Sequence, residues 1–405
     1  MKKLAILTLF ILILIPSCGE SGNPYSNNDH PAYMDAYDTY PAIDEHPENI
    51  LPAYPPYDDS LEVILPTSPL YDGYAAAAYF PRIDFEAIDF TAMILPTCTP
   101  HGQIGHWYVR YISSYLPGRV SFTYRELDTA LWLEQMLYAK GFNEYQVRIQ
   151  TFSYADVSGL EDYFDWGLTG LNGAKEQGWH QGHISRNYSQ NVIVTIPGQS
   201  PQTIIIGAHY DSLRYPGASD NASGTALLME NAQRMLAADN YYTLKYVFFG
   251  AHEIGLLGAF YFYESLTQRE RENILFMISA DVLIEGPDLL FTAGYAQSRN
   301  NIRHISSNDL SVQLSTVAAD FYHSHGIVFH PIPATGSDEL VFLYKGYTVL
   351  AFWGAEISPR FNTNFLHSYE DCYEYISARF PGMVETAMNA FALLLEAVLI
   401  GSLLY

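Results

Sequence analysis

The stretch PQTIIIGAHYDS, residues 201–212, places a run of β-branched apolar residues directly before a histidine and an aspartate. An apolar β-branched run of this kind predicts a strand. The segment QNVIVTIPG, residues 190–198, precedes it, so a Pro-Gly turn separates two apolar strands. These residues predict two successive strands, with His209 and Asp211 following the second.

Helix and strand patterns alternate on both sides of this centre. Before it, residues 121–141 have helical spacing and residues 145–154 alternate as a strand. After it come a helix (221–238), a strand (244–251), a helix (255–266) and a strand (274–286). Strands that alternate with helices predict an α/β fold, with a mostly parallel sheet covered by helices.

Composition limits the function. The 405 residues are 49% hydrophobic and 15% aromatic, enough to form one large buried core. The net charge of -24 makes nucleic acid an unsuitable partner and disfavours polyanionic ligands, because binding phosphates requires a basic surface.

The first residues predict export from the cytosol. Lys2 and Lys3 precede an apolar run that is too short to span a bilayer comfortably, and Cys18 follows it. Residues 1–17 resemble a bacterial lipoprotein signal, which would leave the protein attached to the membrane through a lipidated Cys18. An ordinary secretory signal with an incidental cysteine is the alternative.

Residues 18–105 are rich in Tyr, Pro and Asp and predict an extended tether and N-terminal extension, whose later apolar pieces could instead lie against the folded body. The folded body is predicted over residues 106–405. Its apolar C-terminal segment, from Met383, is predicted to be a helix that covers the core rather than a membrane span. For Cys98 and Cys372, a disulfide and free thiols remain open.

Acidic and imidazole side chains collect where the predicted strands end. Each alone is explained as a loop or capping residue, but in open α/β sheets ligands bind at the carboxyl ends of the strands. The residues concerned are His209, Asp211, Asp220, His252, Glu253 and Asp281. Together they predict a polar site at one edge of the sheet.

The order of the motifs resembles the twenty-eighth family of metallopeptidases, which includes two-zinc aminopeptidases, carboxypeptidase relatives and glutaminyl cyclases. The similarity covers most of the chain from about His106 onwards. It is carried by TIIIGAHYDS, ASDNASGTALLMENA, FFGAHEIGLLGA, ISADVLIEG, GSDEL and FLHSYEDCYEYI. The resemblance implies a three-layer αβα zinc-peptidase fold with a central mixed, mostly parallel sheet.

The resemblance also implies a set of metal ligands for two zinc ions. Asp220 would bridge both ions. His209 and Asp281 would complete one ligand set, and Glu253 and His367 would complete the other. Asp211 would orient His209 through its second ring nitrogen.

Two positions depart from the family pattern. His252 stands where the family has the glutamate that acts as general base, so His252 becomes a candidate catalytic residue, together with Asp211, which orients His209. An imidazole can accept a proton, but we expect slower turnover than with glutamate. Glu339, in GSDEL, stands where relatives often have histidine.

The resemblance therefore implies an extracytoplasmic aminopeptidase, in which a hydroxide that bridges the metals attacks the first peptide bond of a peptide substrate. One alternative is a metal-bound pseudo-peptidase that acts as a binding protein, because the general-base glutamate is lost. The other is a glutaminyl cyclase-like enzyme. Side-chain preference and oligomeric state are not indicated.

Overall fold

The fold is built on one mixed sheet of eight strands, whose strand ends position several of the candidate ligands. The computed structural model describes residues 82–157, 186–294, 327–331, 336–357 and 365–400. The predicted signal, Cys18 and most of the predicted tether lie outside these residues. The strands are β1 (Val147–Ser153), β2 (Tyr188–Ile196), β3 (Ser200–His209), β4 (Tyr242–Phe249), β5 (Ile274–Ala280), β6 (Asp288–Gly294), β7 (Phe329–Pro331) and β8 (Thr348–Ala355).

The helices cover both faces of this sheet. They are α1 (Gln103–Tyr115), α2 (Tyr124–Ala139), α3 (Tyr154–Val157), α4 (Gly224–Met235), α5 (Leu257–Ser265), α6 (Gln268–Asn273), α7 (Glu339–Tyr344), α8 (Tyr373–Arg379) and α9 (Met383–Ile400). Short 3-10 turns, Phe85–Ala87 and Thr91–Met93, precede them.

The strand order is β1-β2-β4-β3-β5-β8-β6-β7. The four central strands β4, β3, β5 and β8 are mutually parallel. On one side β1 and β2 continue the sheet antiparallel, and on the other side β6 runs antiparallel to β8. Parallel central strands bring their carboxyl ends to one edge, where the polar residues collect.

The alternation of β3 shows why the sheet has helices on both faces. Ile204 and Ile206 point into a core shared with α1, α2, α4 and α9, whereas Ile205 points into a second core shared with α5 and α7. Successive side chains of a strand point to opposite faces, so an unbroken isoleucine run needs apolar cover on each. The predicted three-layer αβα fold is confirmed.

The C-terminal helix α9 belongs to the core. By length and composition it is apolar enough to cross a membrane, yet Met388, Phe391 and Leu395 are fully buried among α1, α4 and the sheet. The prediction of a core-covering helix is confirmed in this arrangement.

The segment before α1 lies against the body. Arg82 pairs with the buried Asp128 of α2 at 2.6 Å, and Arg234 of α4 donates to the carbonyls of Thr97 and Thr99, each at 2.7 Å. The later part of the predicted extension therefore packs on the helices, and its boundary at residue 105 stays a prediction. Cys98 and Cys372 are free thiols.

Candidate metal centre

Three neighbouring parallel strands deliver the first group of polar side chains. His209 is the last residue of β3, Asp281 follows β5 directly, and Glu253 lies in the loop after β4. Asp220 lies in the irregular turn Ala218–Ser223 that leads into α4. The structure thus brings together four of the predicted ligands at one sheet edge.

The Asp220 turn is attached to both neighbouring strands. The side-chain amide of Asn221 donates to the carbonyl of Ala280 at the end of β5, at 3.0 Å, and Thr225 donates to the carbonyl of His209 at 2.9 Å. Gly224 lets α4 begin this close to the sheet, because a Cβ atom there would overlap the carbonyl oxygen of Ala280. The turn therefore lies in a fixed position above β3 and β5.

Asp220 faces two histidines with its two oxygens. Its Oδ1 lies 3.2 Å from His209 Nε2, and its Oδ2 lies 3.1 Å from His367 Nε2. Burial alone would raise the pKa of the Asp220 carboxyl, but the contacts from His209 and His367 outweigh burial and lower it. The carboxylate is therefore ionised and shared between two imidazoles.

Each histidine also faces a second carboxylate. His209 Nε2 lies 3.1 Å from Asp281 Oδ1, and His367 Nε2 lies 3.4 Å from Glu253 Oε2. One ring nitrogen carries at most one hydrogen and cannot donate fully to two acceptors. Through Asp220, the contacts form two adjacent sets, each with one imidazole nitrogen and two carboxylate oxygens, and these are ligand types that zinc takes.

The charge of this region also suits divalent cations. Asp211, Asp220 and Asp281 are at most 5% exposed, and the acidic side chains Glu126, Glu285, Asp338 and Asp371 are buried close to them in the fold. Buried carboxylates are costly unless a cation or hydrogen-bond donors compensate them. The donor set and the surplus of negative charge fit two zinc ions.

Asp211 does more than the predicted support of His209. His209 Nδ1 lies 3.4 Å from Asp211 Oδ1 and 3.1 Å from the Asp211 carbonyl. The same carboxylate accepts the Ser121 hydroxyl at 2.7 Å and the backbone amides of His252 and Glu253 at 3.1 and 3.2 Å. Asp211 therefore ties the His209 strand end to the loop that carries His252 and Glu253.

Glu126, which has no distinguishing sequence pattern, holds the same loop from the other side. Its carboxylate is fully buried and accepts the Ala251 amide at 3.0 Å and the Ser189 hydroxyl at 2.6 Å. Burial, with a smaller contribution from Asp211, raises the pKa of Glu126 well above its ordinary value. Three successive amides, from residue 251 to 253, thus point at two buried carboxylates.

His252 stacks on His209. The ring centroids are 3.7 Å apart and the planes differ by 6°. In parallel, stacked rings the lone pairs of the ring nitrogens lie in two separate planes and do not converge on one point. His252 is close enough to His209 and Asp281 to be grouped with them as a candidate ligand, but its ring is stacked on His209 rather than converging with it.

Asp338 is the partner of His252, and the sequence patterns did not predict it. His252 Nδ1 lies 3.2 Å from Asp338 Oδ1, outside hydrogen-bonding angles, and the fully buried Asp338 carboxylate accepts no hydrogen bond from the residues that the structure describes. Burial and His209 lower the pKa of His252, but the Asp338 carboxylate outweighs them and raises it to about 9. The sequence feature that could have indicated this partner is its place in GSDEL, directly before Glu339, which departs from the family pattern.

Glu339, the second departure from the family pattern, serves its own loop in the contacts that the structure describes. Its carboxylate accepts the amides of Gly336 and Ser337 at 3.0 and 3.1 Å. These bonds shape the turn before α7 that presents Asp338.

Comparison with known proteins gives a family. The model of peptidase family M28 matches residues 191–392, about half of the chain. The alkaline phosphatase isozyme conversion protein of Escherichia coli is 27% identical over 208 residues, which are 48% of this chain and 54% of that protein. A probable leucine aminopeptidase of Trichophyton verrucosum is 29% identical over 220 residues, 51% of this chain and 56% of that protein. The chain thus spans about half the length of these curated relatives.

Solved structures share the fold. A zinc aminopeptidase from Bacillus subtilis superposes with a TM-score of 0.57 at 17% identity, over 75% of this chain and 96% of that one. A glutaminyl cyclase from an Acidobacteriales bacterium superposes with a TM-score of 0.54 at 18% identity, over 76% of this chain and 98% of that one. The fold, the family model and the order of the motifs agree, and the chain belongs to peptidase family M28.

Proposed function

We propose that the protein is a zinc-dependent exopeptidase, an aminopeptidase that removes N-terminal residues from peptides outside the cytoplasm. The observation that carries this proposal is Asp220, whose two oxygens each face a different histidine of two adjacent ligand sets. A relative named as a probable leucine aminopeptidase supports the same reaction class.

His209, Asp281 and Asp220 would hold one ion, and Glu253, His367 and Asp220 the other. Zinc in such a site supplies a Lewis acid that polarises the scissile carbonyl and lowers the pKa of coordinated water. The protein contributes the positions of these side chains. Asp211 and Glu126 fix the loop of Glu253, and the carbonyl and carboxylate of Asp211 orient His209.

His252 is the proposed general base. Its backbone is held by Asp211, its ring lies flat against His209, and its side chain is 14% exposed. The imidazole is therefore next to the ligand sets, with its Nδ1 directed to Asp338. In this role, it would accept a proton from the attacking water and return it to the departing amine.

We also propose that lipidated Cys18 anchors the protein to the outer side of a membrane, where peptides would be its substrates. Replacement of Cys18 by serine is expected to move the protein from the membrane fraction to the soluble fraction. Continued membrane association of this variant would contradict lipid anchoring.

A second candidate is a metal-bound binding protein without turnover. The observation that favours it is the imidazole of His252 at the position of the general-base glutamate. A glutaminyl cyclase is a third candidate, since a solved cyclase shares the fold.

The deciding experiment is metal analysis of the purified protein together with two assays, one on aminoacyl amides and one on peptides with N-terminal glutamine. Two zinc equivalents with release of the first residue are expected. Two zinc equivalents without turnover would support the binding protein, and cyclisation of glutamine without hydrolysis would support the cyclase. A protein that binds no zinc would contradict the proposed function.

A further inference from the structure

His367 is the ligand that the sheet does not position. It lies in the loop between β8 and α8, its side chain is 46% exposed, and its backbone has a φ of 57°, in the left-handed region. Its Nε2 nevertheless points at Asp220 and Glu253. A half-exposed imidazole has few surrounding contacts, so its direction depends on the backbone of its loop.

Asp371 joins this loop to the Asp220 turn. Its carboxylate, 1% exposed, accepts the backbone amide of Ser219 at 2.5 Å and the amide of Asp220 at 3.1 Å. Its carbonyl accepts the amide of Ala218 at 3.2 Å. Three consecutive amides of the turn that carries Asp220 therefore end on one residue, four positions after His367.

A different carboxylate holds the other side of the loop. Glu285 accepts the amides of Phe365 and Leu366, the latter at 2.9 Å. Glu285 belongs to the segment that follows Asp281, so this bond links the loop to the first ligand set. Asp371 links the loop to the backbone amide of Asp220. Asp220 and His367 are both candidate ligands of the second set.

The two ligand sets depend on these links to different degrees. His209 and Asp281 are fixed by β3 and β5, and Asn221 keeps the Asp220 turn attached to β5. In the second set, Asp220 and His367 lie on two different loops. The hydrogen bonds from the Asp220 turn to the carboxylate of Asp371 hold these two loops together.

We propose that Asp371 is a positioning residue that sets the zinc affinity of the second ligand set by locking the Asp220 turn to the His367 loop. This inference rests on the proposed function. Asparagine has the same shape but presents an NH₂ group to one of the two amide donors, so it can accept only one of the two bonds. Loss of such a supporting contact typically lowers metal affinity about 10- to 100-fold.

The test is zinc titration of the metal-free protein against a chromophoric chelator, with zinc alone as the probe. The parent protein is expected to bind two equivalents. Asp371→Asn is expected to keep one equivalent at the parental affinity and to bind the other about 10- to 100-fold more weakly.

Glu230→Gln is the matched control. Glu230 is also a fully buried carboxylate that accepts two backbone amides, those of Gly102 and Gly105, but these amides begin α1 rather than a ligand loop. This variant is expected to lower the melting temperature and leave both zinc affinities unchanged. Asp371→Asn with two parental affinities and only a lower melting temperature would overturn the inference, as would equal weakening of both equivalents.

Asp371→Glu decides the question if the asparagine variant does not fold. Glutamate keeps both acceptors but separates the two loops by one methylene, and the same selective weakening is expected. Unchanged binding of both ions by this variant would overturn the inference. If the parent binds no zinc, the proposed function fails instead, so the two failures are distinguishable.

Discussion

The two ligand sets of the candidate metal centre are built differently. In the first, His209 and Asp281 stand at the ends of adjacent parallel strands and are 0 and 4% exposed. In the second, His367 stands on a loop and is 46% exposed. The first set inherits its geometry from the sheet, whereas the second depends on individual carboxylates that hold loop amides. We therefore expect the same kind of substitution to have different consequences in the two sets.

The largest effect is expected where the sets meet. Asp220→Ala removes a ligand from both sets, so we expect loss of both zinc equivalents and of all peptidase activity. Metal analysis after dialysis against dilute zinc measures this. Retention of two equivalents would show that the two sets do not share Asp220.

Removal of one histidine from each set sharpens the comparison. His209→Ala and His367→Ala are each expected to lose one zinc equivalent. Without metal, His209→Ala should also destabilise the fold by about 3–5 kcal/mol, because it leaves buried carboxylates without their partner. His367→Ala should cost less, because water can reach the carboxylates of Asp220 and Glu253 where the half-exposed imidazole is removed.

Urea unfolding of both metal-free variants, beside the metal-free parent, measures this difference. Equal free energies of unfolding for the two variants would contradict the contrast between a strand-end ligand and a loop ligand.

The proposed base lies on the side of the first set, against His209. His252→Glu is expected to raise turnover, because general acid-base assistance is worth about 10²- to 10⁴-fold and glutamate restores the base of the family. His252→Ala should abolish the remaining activity. Both variants should keep two zinc equivalents, since the ring of His252 is stacked on His209 rather than converging with it. Loss of zinc from His252→Ala would show that His252 is a ligand.

The smallest effect is expected at Asp338. Its negative charge raises the pKa of His252, and a general base works only when it is unprotonated. Asp338→Asn therefore lowers that pKa and should move the ascending limb of the pH-rate profile to lower pH by about one unit, the lower end for an adjacent opposite charge. An unchanged dependence of kcat/KM on pH would mean that Asp338 does not act through His252.

The strands and the residues that follow them are predictable from the sequence because both depend on local pattern. The isoleucines of β3 and the polar residues after β3, β4 and β5 occupy fixed places in an α/β sheet, so the pattern alone locates His209, Glu253 and Asp281. Asp220 is located by its place just before a predicted helix, whereas His367 requires the family resemblance, since its loop has no such pattern. Helix α1 was not predicted, although ten of its residues are buried.

The roles of Glu126 and Asp371 could not be predicted, because each carboxylate acts across a long separation in sequence. Glu126 reaches Ala251, and Asp371 reaches Ser219, only after the sheet and helices have formed. A buried acidic residue in a helix such as α2 has no local pattern that distinguishes it from a surface charge. The exchange at His252 was visible, but its stacking on His209 and its contact with Asp338 depend on tertiary structure.

The way in which Glu126 and Asp211 hold the amides of residues 251 to 253 has a consequence for variation at this site. These bonds are made by the backbone, so the path of the loop is independent of which side chain follows Ala251. Residue 252 can then be exchanged while Glu253 keeps its place. The fold thereby separates the residue that tunes reactivity from the residues that retain the ions, which makes position 252 a natural point for engineering new chemistry on an unchanged scaffold.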